Sequence, residues 1–379
     1  MKSSLLNYHF IIFSLIILIL SCSSNSERQK SDPNLLTYEI PAKISEDSPS
    51  NFFGQPEGYL EWEAENTLLL VEEILSRFPP SVDENIVRYS AFQMLDLLFH
   101  DPEAPNRHAV HDFHHRRTAK ALHQIQNTNV DEGAMIWKLY NMSIVARTAS
   151  VTVCFDLVRG HSTRVDDFPV PDEMMMAVID QCDALFISHR HRDHADQWVA
   201  QTFIDQDKPV VAPPEVWEEE PIHDHITHLE RLAHEVQTLP VQSGQQELRV
   251  VVYPGHQGAT IQNNVPLVIT PEGLSFVHTG DQSNNDDFEW IDRVGEIHHV
   301  DVYLPNTWTT DPQRAALGYD PMLIIPGHEN ELGHVISHRE AYILNYKRWN
   351  VPYPVMIMGW GESYHYLPEN HRRPESSVN

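Results

Sequence analysis

Positive charge is scarce in this chain: 26 Lys and Arg stand against 54 Asp and Glu in 379 residues, a formal net charge of −28. A chain this acidic repels a phosphate backbone at long range. No run of Lys and Arg exceeds a pair such as Arg116–Arg117, so nucleic acid is excluded as a default partner. Cysteine is nearly absent, with three residues, and neither a Gly-x-Ser-x-Gly motif nor a Gly-rich phosphate loop occurs. Serine or cysteine nucleophilic catalysis and P-loop chemistry therefore have no support. There is no internal repeat. No apolar run reaches the roughly 20 residues of a membrane-spanning helix. The apolar share, 41%, is enough for a packed core and excludes a largely disordered chain.

The longest apolar run, Phe10–Leu20, is interrupted only by Ser14 and follows Lys2. It has the length of a signal-peptide core. Ile19-Leu20-Ser21-Cys22 behind it resembles a bacterial lipobox. The expectation is a signal peptide over 1–21, export to the bacterial cell envelope, and a membrane anchor through lipid on Cys22. Residues 22–56 carry prolines at 33, 41, 49 and 56 among Ser, Asn and charge, the composition of a linker. Cys154 and Cys182 lie in or beside apolar runs and are expected as buried free thiols, although export would allow them to pair.

Residues 57–130 read as a helical extension. Leu68, Val71, Ile74, Leu75 and Phe78 recur at helical spacing until Pro79-Pro80. Ser81-Val82-Asp83-Glu84 fits a capping box opening a second helix, and a third covers His108 to Gln126. Residues 131–368 alternate short strands with helices, an α/β body, and 369–379 form a tail.

The chemistry is concentrated at one strand end, Ala184-Leu185-Phe186-Ile187-Ser188-His189-Arg190-His191-Arg192-Asp193-His194. Imidazole nitrogens and a carboxylate suit a borderline divalent ion such as zinc. His189 and His191, two apart in an extended segment, can point the same way. Asp193 and His194 then turn toward a second position, so one loop supplies two neighbouring ions.

His-x-His-x-Asp-His after an apolar strand resembles the metallo-β-lactamase-fold metallohydrolases. The resemblance implies an αββα sandwich and three more ligands on later strand ends. Their counterparts are His256 in Tyr-Pro-Gly-His-Gln-Gly, Asp281 in Phe-Val-His-Thr-Gly-Asp and His328 in Ile-Ile-Pro-Gly-His-Glu-Asn. By that resemblance His189, His191 and His256 hold a first metal, Asp193, His194 and His328 a second, and Asp281 bridges them. Asp193 would also handle a proton, and His334 is the candidate donor to the leaving group. Two zinc ions, with manganese or iron as alternatives, would hydrolyse an ester, lactone or phosphodiester of a small or lipid-like substrate. The Phe-Val-His-Thr-Gly-Asp and Pro-Gly-His elements look most like the branch holding ascorbate-phosphate lactonases and N-acyl-phosphatidylethanolamine phospholipase D. The competing readings are a mono-iron dioxygenase acting on persulfides and a non-enzymatic metal-binding surface lipoprotein.

Asp156 matches a family position that supports the ligand loop, or else caps a hairpin. His278 either lies beside the site or contacts substrate. The clusters His108/His111/His114/His115 and His223/His225/His228 are expected to be packed or solvated rather than metal-binding.

Overall fold

The computed structural model describes residue 49 and residues 52–83, 85–160 and 167–371. The expected signal peptide, the lipid-bearing Cys22, nearly all of the linker and most of the tail lie outside the described residues. Among the described residues, no helix is long and apolar enough to cross a membrane.

Among the described residues three helices come first: α1 (Pro56–Arg77), α2 (Ile86–Phe99) and α3 (His108–Asn127). In α1 the residues Ala64, Leu68, Val71, Ile74 and Leu75 are buried, one stripe of a 3.6-residue repeat. The cap of α2 is Asn85 rather than Ser81. Its side chain accepts from the backbone N–H of Val87 at 2.9 Å and of Arg88 at 3.3 Å. Ser81 instead accepts from Asp83 N, and Glu84 lies outside the described residues.

Among the described residues twelve strands follow: β1 (Ala134–Lys138), β2 (Ile144–Arg147), β3 (Thr152–Phe155), β4 (Ala184–Phe186), β5 (Val210–Val211), β6 (Gln237–Val241), β7 (Gln246–Gln257), β8 (Ile261–Ile269), β9 (Ser275–His278), β10 (Val302–Leu304), β11 (Leu323–Ile324) and β12 (Glu362–Tyr366). Helices α4 (Asp172–Ile179), α5 (Gln197–Asp205), α6 (Phe288–Ile291), α7 (Val294–Ile297), α8 (Pro312–Tyr319) and α9 (Tyr342–Arg348) are interspersed among them. The strands make two six-stranded mixed sheets, ordered β12-β1-β2-β3-β4-β5 and β11-β10-β9-β8-β7-β6.

Strand alternation builds the layers. Val250 and Val252 of β7 face Phe155 and Phe186 of the first sheet in a core between the sheets. Their neighbours Val251 and Tyr253 turn the other way, onto Trp290, Ile291 and Tyr319 of the outer helices. On the far side Trp137, Val145, Cys154 and Leu185 pack against α3, α4 and α5. The result is the αββα sandwich expected from the sequence. Cys154 and Cys182 are buried free thiols in that outer layer.

The run Pro354–Met358 makes only an isolated bridge through Val355 to Ile324. The last strand is β12, paired antiparallel with β1 from Ala134–Tyr366 to Lys138–Glu362. Its outward residues Ser363 and His365 are polar because it is an edge strand, which weakened its signal.

The helical extension is built into the body, and residues 51–379 form one compact unit. Arg88 of α2 makes a two-pronged pair with Glu362 of β12, at 2.8 and 2.7 Å, and both are buried. Arg117 of α3 donates to the carbonyl of Trp360 at 2.6 Å.

Candidate metal centre

β3, β4, β9 and β11 end at the same edge of the sandwich, and the loops beyond them meet. β3 runs parallel to β4, and β9 and β11 both run parallel to β10. The loop after β4 carries His189, His191, Asp193 and His194 before Asp196 caps α5. The loop after β9 brings Asp281, and that after β11 brings His328.

Six of the expected residues form two groups. Donor atoms of His189, His191 and Asp281 lie within 4.8 Å of one another, and so do those of Asp193, His194 and His328. Asp281 faces both. Its Oδ2 is 3.5 Å from His189 Nε2, while Oδ1 is 3.2 Å from both His194 Nε2 and His328 Nε2. His189 Nε2, His194 Nε2, His328 Nε2 and Asp281 Oδ1 are buried with no hydrogen-bond partner. Buried polar atoms are normally paired, so four convergent orphans fit cations.

The rings are aimed from behind. Asp156, buried and at φ +43°, accepts from Ser188 N at 2.7 Å, from Ser188 Oγ at 2.6 Å and from His194 Nδ1 at 2.7 Å. The His194 contact turns its Nε2 lone pair into the site. Asp156 therefore supports the ligand loop and does not merely cap a hairpin. Gly280, at φ +49°, passes so close to this loop that a Cβ there would sit 2.2 Å from Ser188 Cβ. Only glycine lets the Asp281 turn approach the histidine loop so closely. His278 donates from Nε2 to Met142 O at 3.0 Å and accepts at Nδ1 from Gly280 N at 3.2 Å. It ties the Asp281 turn to the first sheet.

His328 is held in the left-handed region, φ +73°, and Asn330 at +52°. Such conformations persist only where the surroundings impose them. Here Glu329 pairs with buried Lys138 and accepts from Asn345 Nδ2 at 2.7 Å. Asn330 donates to Asp96 of α2 at 2.8 Å, and Glu331 accepts from Tyr140 Oη at 2.7 Å. The N-terminal extension thus clamps a candidate ligand loop.

His256 is held by Asp287. Its Nδ1 is 2.8 Å from Asp287 Oδ1 and its backbone N–H donates to Asp287 Oδ2 at 2.9 Å. Its ring is not gathered into either donor group. The next residue of β7, Gln257, went unnoticed in the sequence; its amide nitrogen donates to Asp281 Oδ2 at 2.9 Å.

Glu331 and Trp308 also went unnoticed in the sequence. Glu331 groups with Asp193 and His334, and the Trp308 ring meets His328 edge-on, 5.6 Å between centroids. A cleft of about 440 Å³ opens over the centre, lined by His191, Gln257, Trp308, His334, His338 and Glu340. The signal for Glu331 was its place three residues after His328. His334 stacks on His328 at 5.5 Å, its Nε2 3.9 Å from Asp193 Oδ2.

Burial opposes charge on His328, but Asp281 and Asp193 outweigh it and raise its pKa to about 10. His194 is raised in the same way by Asp281, Asp193 and Asp156 against its own burial. Burial lowers His189 to about 3 and also lowers His334. Asp281 is buried, yet His194 and His328 hold its carboxyl well below the usual range. Burial, reinforced by Asp193, raises Glu331 to about 7.

Of the two histidine-rich regions outside the centre, His114 is buried and stacked on Phe168 at 4.8 Å, and His115 bonds the carbonyls of Phe168 and Pro169. His108 and His111 gather with Asp167, a grouping that the sequence reading did not anticipate. His223 and His228 bond the carbonyls of Pro214 and Ala212.

Neither a protein-family model nor a curated protein matches the chain. Solved structures do. One is Igni18, a metallo hydrolase of the archaeon Ignicoccus hospitalis, at 14% identity and TM-score 0.44, covering 62% of this chain and 99% of that one. Another is an isothiocyanate hydrolase from Delia radicum gut bacteria, at 12% identity and TM-score 0.45, covering 61% and 99%. A third is CmlA, a diiron β-hydroxylase of Streptomyces venezuelae, at 14% identity and TM-score 0.44, covering 62% of this chain and 55% of that one.

Proposed function

We propose that this chain is a metal-dependent hydrolase of the metallo-β-lactamase-fold superfamily, working through two adjacent divalent ions on an ester, lactone or phosphodiester. The observation that carries the reading is the pair of donor groups with Asp281 between them, one carboxylate oxygen turned to each. Ions held there would supply a water acidified toward neutral pH and polarisation of a carbonyl or phosphoryl oxygen.

The residues around the cleft divide the remaining work. Asp193, beside His194 and His328, is placed to accept a proton at its Oδ2. His334 is neutral at neutral pH because burial disfavours its imidazolium. It serves as a neutral hydrogen-bond donor to substrate. Trp308 offers an apolar wall and Glu340 a carboxylate at the rim. Export and a lipid on Cys22 complete the proposal, setting the enzyme at the bacterial envelope before small or lipid-like substrates.

The test is elemental analysis of the full-length chain purified without added metal, followed by an ester, lactone and phosphodiester screen. About two zinc or manganese ions per chain are expected, with His334→Ala retaining them and losing roughly 10²-fold in kcat/KM. One iron per chain would favour the dioxygenase, and no metal after reconstitution would sink the enzyme reading.

Zinc uptake should also release protons. In the metal-free chain His328 titrates near 10, above its unfolded value of about 6.5. Its contribution to stability is full below about 6.5 and is lost as pH rises through about 10. At pH 7.5 zinc must displace that proton, and calorimetry in buffers of different ionisation enthalpy should find about one proton released per chain or more, with affinity rising with pH. Proton-neutral binding would contradict the raised His328.

A further inference from the structure

Among the described residues a further group of donors stands away from the centre and shares no residue with it: His108, His111 and Asp167, whose donor atoms lie within 4.8 Å of one another. His108 and His111 are one turn apart at the start of α3, on the same face of the helix. Asp167 reaches them from the connection between β3 and α4.

The ring of His111 is fixed in place. It is buried, and the Phe168 ring meets it edge-on at 5.6 Å. Its Nε2 is 2.8 Å from the carbonyl oxygen of Pro105. A carbonyl only accepts, so Nε2 carries the ring hydrogen and donates it, which leaves a lone pair on Nδ1. That nitrogen is buried without a hydrogen-bond partner, although Asp167 Oδ1 is 3.2 Å away. A lone pair and a carboxylate oxygen repel at that distance, and the contact lacks the direction of a hydrogen bond. Two ligands of one tetrahedral zinc stand in this relation, about 3.3 Å apart and each turned to the ion instead of to the other. His108 Nδ1 lies 3.6 Å from the second oxygen, Asp167 Oδ2. The side chains of His108 and Asp167 are exposed, so they can draw in around a cation without disturbing the core.

We propose that His108 Nδ1, His111 Nδ1 and the Asp167 carboxylate bind one divalent cation of the zinc class, with water completing the coordination. Two imidazoles and a carboxylate are borderline donors, which favour zinc over magnesium or calcium. The ion ties Asp167 to α3, beside the Phe168 and Pro169 carbonyls that His114 and His115 hold. This departs from the packed or solvated role expected for His108 and His111 from the sequence.

The experiment is equilibrium dialysis of the full-length chain in detergent against about 20 μM zinc near neutral pH, followed by elemental analysis. Wild type is expected to hold about one zinc per chain more than Asp167→Ala or His108→Ala. His108→Cys should keep that ion, because its sulfur ligates zinc from nearly the place of Nδ1. Both substituted positions are exposed, so the variants should melt with wild type in the absence of zinc. The quantity compared is a difference between chains dialysed together. It is therefore independent of how many ions the centre takes, and the two-ion reading can fail without it. Equal zinc in wild type and either alanine variant, or loss of the ion from His108→Cys, would overturn the proposal and leave His111 and Asp167 as a plain ion pair. Displacement of the ion by about 1 mM magnesium would overturn the zinc-class assignment.

Discussion

Asp281→Ala is expected to lower the metal content from about two ions per chain to one or fewer, and hydrolysis by 10³-fold or more. The side chain is the only one among the described residues that belongs to the first group and also touches the second through its other oxygen. Its removal leaves the first group with two imidazoles. It also takes away the carboxylate that balances the charge of His194 and His328. The residues behind Asp281 do not depend on it. Asn263 Oδ1 accepts from its backbone N–H at 3.0 Å, and Gly280 is unchanged, so the turn should survive. Elemental analysis of the purified variant beside a thermal melt checks this. A folded variant that keeps two ions, or activity within tenfold of wild type, would show that Asp281 does not bridge.

Glu362→Ala should cost about 3–5 kcal/mol, the range for removing one partner of a buried ion pair. Arg88 and Glu362 are nearly inaccessible, with side-chain exposures of 4% and 2%. The carboxylate also accepts from Gly359 N at 2.8 Å and lies in the field of buried Arg117. Without it two guanidinium groups remain in a dry interface between the N-terminal helices and the edge of the first sheet. The melting temperature should fall by roughly 5–10 °C, with α1–α3 becoming susceptible to limited proteolysis. The double variant Arg88→Met/Glu362→Met should recover most of the loss, since an apolar pair of similar volume avoids the desolvation. A single variant that melts within 2 °C of wild type would show that the extension is held by apolar packing alone.

These two residues mark the reach of the sequence. Asp281 stood in a local pattern, an apolar strand followed by Thr-Gly-Asp, and was expected as a site residue because that pattern resembles a family element. Glu362 stood in Gly-Glu-Ser-Tyr-His-Tyr, a polar edge strand, and nothing nearby showed that Arg88, 274 residues away, would meet it. The hairpin of β2 and β3 is legible in the sequence, because the apolar runs Ser143–Ala146 and Val151–Asp156 flank Arg147-Thr148-Ala149-Ser150. The second helix was legible as well, but its cap was misplaced by four residues, because Ser81 and Asn85 are both good caps and only the backbone path selects one.

By itself the sequence determined an α/β body of short strands and helices, and its His-x-His-x-Asp-His motif carried the resemblance from which the αββα layering was expected. It also determined the concentration of His189, His191, Asp193 and His194 after β4, since a strand end and its loop are contiguous in the chain. Tertiary structure alone decided that Gln257 bonds Asp281, that Glu331 joins Asp193 and His334, and that α2 clamps the His328 loop through Asp96. The reason is the range of the forces involved. Periodicity and turn chemistry act over a few residues. Strand parity at a particular site depends on register against a partner strand, and burial of a charge depends on elements that arrive from hundreds of residues away.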